Sequence, residues 1–212
     1  MNRTFALLLC LIAVVAGWVV YTRVSPEPPS ASVSLAPKVE GSKIYFVPMG
    51  DFPVEQLQNL AQYYHEKYGI EITIVNSVPV DPICRDASRQ QLMAESLAAS
   101  LRRSIPEHGG EPGSILIGFT AEDIYPTTRN WQFAFGWRLG DSGPAVVSSA
   151  RLSLPDIGQA LERDLPGKRL RKIVTKDIGV LYCGLPQSQN PKSVLYSQIM
   201  GIEELDEVGE DF

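Results

Sequence analysis

Apolar and polar positions along this chain follow two periods, and each change of period marks an element. Lys43 to Pro48 (KIYFVP) is a short apolar run of strand type. Asp51-Phe52-Pro53 then predicts a helix start with proline just inside it, and Val54, Leu57, Leu60, Ala61, Tyr64 and Tyr68 recur at helical spacing up to Gly69. Ile70 to Val78 alternates and is bounded by Pro79, which predicts a strand. Asp86 to Ile105 predicts a second helix, its stripe carried by Leu92, Ala94, Leu97, Ala98 and Leu101, closed by Pro106 and the Gly109-Gly110 loop. Three more strand-like runs follow with Gly and Pro between them: Ser114 to Phe119, Trp131 to Leu139 and Ala145 to Leu152. Pro155 to Leu165 is a weaker, helical-leaning connection, and Gly167 to Cys183 is the last predicted helix. The order βαβα, then strands, then a helix, predicts an α/β (α+β) domain with helices packed on a mixed β-sheet.

In that last helix Leu170, Ile173, Val174, Ile178 and Leu181 make one apolar stripe, and Asp177 falls inside it. An Asp on a core-facing stripe needs a partner or an altered pKa. Lys176 and Val180 lie one turn apart on a flank of the stripe.

The amino-terminal end has a different pattern. Arg3 is followed by an uncharged run from Phe5 to Thr22, closed by Arg23, with Trp18 and Tyr21 placed for a membrane interface. Residues 1–24 are expected to be a transmembrane anchor, with a cleaved signal ending at Val14-Val15-Ala16 as the rival reading. Ser25 to Ser42, with Pro26, Pro28, Pro29 and Pro37 among Ser and Ala, predicts an extended linker, so the folded domain is expected at 43–212. With the amino terminus inside, that domain lies outside the cytoplasm. A cleaved signal would make it secreted.

Composition narrows the function. The 212 residues carry a net charge of -5 and give no basic footprint for nucleic acid. Of three cysteines, Cys84 and Cys183 fall in the domain, where an oxidising compartment permits a disulfide and two buried thiols are an equal alternative. His65 and His108 sit among polar neighbours and read as ordinary surface or boundary histidines, and Glu122-Asp123 as a loop at a strand end. Lys168, Arg169, Arg171 and Lys172 form a basic cluster that could stay solvated, meet lipid head groups, or meet the acidic end of the chain from Glu203 to Asp211.

KIYFVPMG at 43–50, Cys84 to Gln91, Gly118 to Tyr125, Phe133 to Gly136 and Val147 to Leu152, in that order, resemble the archaemetzincin family of metzincin-type zinc metalloproteases. The resemblance covers roughly residues 43 to 205 and implies a zincin-like fold. It would put the first zinc ligand on Lys176, the general-base carboxylate on Asp177, the second ligand on Val180, the third near Pro186, and the Met-turn methionine on Met200. A zincin needs imidazoles one helical turn apart and a third from the next loop. Lys, Val and Pro offer no such donors, and no cysteine follows Cys183 for a second zinc.

The expectation is therefore a membrane-tethered metzincin-like domain that has lost zinc and peptidase activity, carries no cofactor, and holds a peptide or protein in the former substrate cleft. A Lys176-Asp177 ion pair is one device that could replace the metal in shaping that cleft; a solvated Lys176, with Asp177 capping or bonding a neighbouring strand, is the equal alternative. Two alternatives stand beside this expectation. One is an active metallopeptidase, with zinc, or a metal-free hydrolase centred on Asp177. The other is a purely structural envelope domain.

Overall fold

A computed structural model describes residues 35–153 and 164–212. The expected anchor at 1–24, most of the linker, and most of the connection from Pro155 to Leu165 lie outside the described residues. Among the described residues no helix is long and apolar enough to cross a membrane.

The run KIYFVP forms β1 (Lys43–Pro48), which pairs in parallel with β2 (Ile72–Ile74) on one side and β5 (Ser114–Thr120) on the other. Burial on both faces explains why β1 reads as a continuous apolar run. β8 (Ala145–Ser148) continues the parallel sheet beyond β5, and β7 (Gly136–Arg138) closes it as an antiparallel edge, giving the order β2-β1-β5-β8-β7. Successive side chains leave a strand on opposite faces. Ile44 and Phe46 thus enter one core with Ile117, Phe119 and Val147, while Tyr45 and Val47 enter another with Leu116 and Val146.

Helices α1 (Val54–Tyr68) and α4 (Leu165–Leu181) cover the first face, and α2 (Ala94–Ser104) covers the second. A one-turn α3 (Pro106–Gly109) follows α2, and α5 (Ile202–Glu207) follows α4. The stripe of α4 is borne out, since Leu170, Ile173, Val174, Ile178 and Leu181 are all buried in the first core. Gly179, inside the same helix, is there for close approach: a Cβ would lie 2.4 Å from Phe212 Cε1 and 2.8 Å from Leu195 Cδ2.

Several expected elements come out shorter. Asp51 caps nothing; α1 begins directly after Pro53, without a side-chain cap. Of Ile70 to Val78, only the centre is strand, although Val75 N–H still donates to Phe46 O and Val78 bridges Met49. Asp86 to Met93 is not helical. The Asp86 carboxylate accepts from Ser88 N–H, Ser88 Oγ and Arg89 N–H, a local turn that competes with helix, and Gln90 takes a φ of 53°. This segment instead contributes β3 (Arg85–Asp86) and β4 (Gln91–Met93) to a small second sheet with β6 (Ile124–Tyr125). Trp131 to Ala134 leaves the main sheet for the same reason of competing bonds, because Ala134 N–H donates to Ile124 O at 2.8 Å, and Phe135 O rejoins it by accepting from Ser148 N–H.

The folded part reaches back to residue 35. Leu35 packs against the first core and Lys38 N–H donates to Tyr182 O. The basic cluster of α4 meets the acidic end of the chain. Arg169, 1% exposed, grips Asp206 with Nε and Nη2 at 2.8 and 2.6 Å and donates from Nη1 to Leu152 O. Lys172 Nζ donates to Leu205 O and Asp206 O, and Lys168 and Arg171 face Glu210.

Candidate functional site

The edge strand β7 and helix α4 come together because Gly136 permits it. A Cβ there would lie 3.2 Å from Ile173 Cγ2 and 3.3 Å from Val146 O, closer than a side chain sits without displacing its neighbours. Two residues on, Arg138 leaves the strand on the same face and Nη1 donates to Asp177 Oδ1 at 2.5 Å. The Asp177 side chain is only 4% exposed and that of Arg138 16%. This is the partner that the position of Asp177 on the apolar stripe demanded. Burial pushes the Asp177 carboxyl above its ordinary range, and the charges of Arg138 and Lys176 oppose that shift. Its second oxygen, Oδ2, is buried without a hydrogen-bond partner.

Beside this pair runs a cleft of about 720 Å³, walled by Arg129 to Arg138, by Ile173, Lys176 and Asp177 of α4, and by parts of the 187–200 segment. Trp131 and Trp137 meet edge to face in it, and Trp137 Nε1 is buried without a partner. Lys176 Nζ donates to Tyr196 O, tying α4 to the far wall. Burial, with Arg138 adding to it, lowers the Lys176 ammonium to about 8, against the pull of Asp177.

The backbone of β7 is oriented toward this space. Leu139 N–H bonds Pro144 O and Ser148 N–H bonds Phe135 O, so the odd-numbered residues here face β8. In an antiparallel ladder the alternate residues, Gly136 and Arg138, then direct their N–H and C=O away from β8.

Of the residues singled out in the sequence, Lys176, Asp177 and Met200 share the cleft. Val180, 4% exposed, is packed within the fold, and Pro186 is exposed; neither lines the cleft. Of the two readings of this pair, no Lys176-Asp177 salt bridge forms; Asp177 bonds a neighbouring strand, through Arg138 of β7, and Lys176 is partly buried rather than solvated. Sequence reasoning missed Arg138, although it is the one ionisable residue in the otherwise uncharged run Trp131 to Leu139, opposite a stripe that needed a cation. Of the two readings left open for the cysteines, the disulfide is not formed. Cys84 and Cys183 are free thiols, Cys84 in the second core and Cys183 against the first, with the sheet between them. His65 is an exposed partner of Glu71, and His108 stacks on Tyr45 with ring centroids 4.1 Å apart. Glu122 pairs with Arg85 and Asp123 with Arg151, so those two carboxylates serve separate ion pairs.

No protein-family model matches the chain. Curated relatives include the archaemetzincin of Pyrococcus horikoshii, 30% identical over 142 residues, which span 66% of this chain and 72% of that protein. The archaemetzincin of Haloquadratum walsbyi is 29% identical over 153 residues, 70% of this chain and 83% of its own. Among solved structures, the archaemetzincin of Archaeoglobus fulgidus superimposes with a TM-score of 0.63 at 23% identity, covering 80% of this chain and 94% of that one. A zinc-dependent peptidase from Methanocorpusculum labreanum gives 0.64 at 21% identity, over 80% and 95%. These structures share the fold.

The relatives overturn the expectation that no cofactor is involved, because zinc is the metal that such a family implies. The side chains at the positions that the resemblance assigns to it do not fit it. The Lys176 ammonium has no lone pair to give, Val180 has no donor atom, and Asp177 spends one carboxylate oxygen on Arg138. Among the described residues no cluster of three or more His, Cys, Asp or Glu side chains is placed to hold a metal ion.

Proposed function

The chain belongs to the archaemetzincin family, and from that premise we propose that its cleft holds an extended peptide along β7 without cutting it. The observation that carries this reading is the pairing of a strand edge with a charged helix face. Gly136 and Arg138 turn their main-chain groups away from β8 beside a cleft of about 720 Å³, and the helix position facing them holds the Arg138-Asp177 pair. An exposed edge recruits a strand through main-chain hydrogen bonds, with alternate side chains read by the walls. Hydrolysis requires in addition an activated water and a base able to take its proton. Asp177 is committed to Arg138 through one oxygen and buried at the other, which supports the binding reading.

The second reading is a zinc peptidase, and the names of the relatives favour it. One experiment separates the two. Full-length protein is purified without chelator, its metal content is measured by mass spectrometry, and it is incubated with a random peptide pool whose retained and cleaved members are identified. Peptides retained intact support the binding module. Stoichiometric zinc, with cleavage that a chelator abolishes, establishes the peptidase.

The proposal includes tethering by the run from Phe5 to Thr22, with the cleft outside the cytoplasm. Protection of the domain from added protease in intact cells, lost on permeabilisation, would place it inside and refute that part.

A further inference from the structure

We propose that the peptide held along β7 carries an acidic side chain, Asp or Glu, at the position facing α4, where the Lys176 ammonium receives it. This rests on the peptide-binding reading above and names the ligand class of that same cleft.

Lys176 is a partly buried cation with too little opposite charge. Its three donors serve one carbonyl, that of Tyr196, and no carboxylate lies within ion-pair distance of it among the described residues. The nearest acid in sequence, Asp177, gives Oδ1 to Arg138 and encloses Oδ2. The other charged residues of the cleft do not relieve it: Arg129 and Arg138 stand against Asp141 and Asp177, so with Lys176 the walls are net cationic in a chain of net charge -5.

Strand geometry fixes which ligand position meets this charge. Gly136 and Arg138 present their side-chain direction to α4, as the contact of Gly136 with Ile173 and the bond from Arg138 to Asp177 demonstrate. A residue directly opposite one of them on an added strand shares that face. Its carboxylate then lies on the side of Lys176, while its neighbours along the strand turn toward Trp137. A charge-assisted bond to a partly desolvated ammonium is stronger than a neutral one, so acid is favoured over amide.

The test selects random peptides of about nine residues, displayed on phage, against the full-length chain, and then measures the best binder against its Glu→Gln or Asp→Asn counterpart. Enrichment of Asp or Glu at one position is expected, with roughly tenfold weaker binding of the amide form. Lys176→Met should erase that tenfold difference and Lys176→Arg should keep it, with both variants checked for an unchanged circular dichroism spectrum. Equal binding of acid and amide peptides, or an acid preference that survives Lys176→Met, overturns the inference and leaves peptide binding intact. If no peptide is enriched, both readings fall.

Discussion

Replacing Arg138 with Met tests the ion pair beneath the cleft. Met keeps most of the aliphatic stem and removes the guanidinium, leaving the Asp177 carboxylate 4% exposed without its partner. Removing one member of a buried pair costs about 3–5 kcal/mol, and the residual exposure of Arg138 favours the low end, about 3 kcal/mol. For a chain of this size that is a fall in Tm of roughly 6–12 °C. The sign of the pH dependence follows from burial. Burial already raises the folded-state pKa of Asp177, and loss of Arg138 removes the influence that opposed it, so the pKa climbs further. A carboxyl with a raised folded pKa penalises the native state progressively as pH rises from its unfolded value through the folded one, and protonation relieves it. The deficit of Arg138→Met should therefore be full at pH 8 and shrink toward pH 5. Adding Asp177→Asn should recover much of it at pH 8. Urea unfolding of each variant at both pH values, followed by Trp fluorescence, measures this. A deficit under about 1 kcal/mol, or one equal at pH 5 and 8, refutes the reasoning.

Arg169→Lys should cost about 2–3 kcal/mol, because an ammonium cannot hold both Asp206 oxygens and Leu152 O together; thermal melting measures the loss, and faster hydrogen exchange at 202–208 localises it. Cys183, its thiol pushed up to about 11 by burial, and the fully buried Cys84 should resist iodoacetamide at pH 7.5 and react quickly in denaturant, as read by mass spectrometry. Rapid native labelling would contradict their placement. Glu95 accepts four bonds from Thr127 and Thr128, and although burial raises its carboxyl these bonds outweigh it and hold it at about 2. A depressed folded pKa gives stability that is present above the unfolded value of 4.5 and lost as pH falls toward 2. Glu95→Gln should flatten the acid limb of the stability profile in that window.

The parts of the fold that depend on periodicity were legible in the sequence. β1, α1 and the stripe of α4 repeat their burial along one element, so spacing alone finds them. The small second sheet was not legible, because Asp86 spends its side chain on a local turn that no periodicity records. The site divides the same way. That Asp177 needed a partner followed from its place on the stripe. That the partner is Arg138 rather than Lys176 depends on how closely Gly136 lets β7 approach α4, a property of the packed molecule. Disulfide geometry was out of reach for a similar cause, since the two cysteines sit on opposite faces of a sheet whose order only the fold determines.

The main sheet ends on both sides in strands of three residues, Ile72–Ile74 and Gly136–Arg138. A long flat edge invites copies of a protein to zip together, and shortness is one of the ways to prevent it. Pairing of two copies through β7 would gain a ladder of three residues and bring two Arg138 guanidiniums, each already committed to an Asp177, onto one seam. Self-association by this route is therefore weak and charge-opposed. On the peptide-binding reading proposed above, this edge would take a guest strand of suitable side chains while offering a second copy of the chain too little to grip.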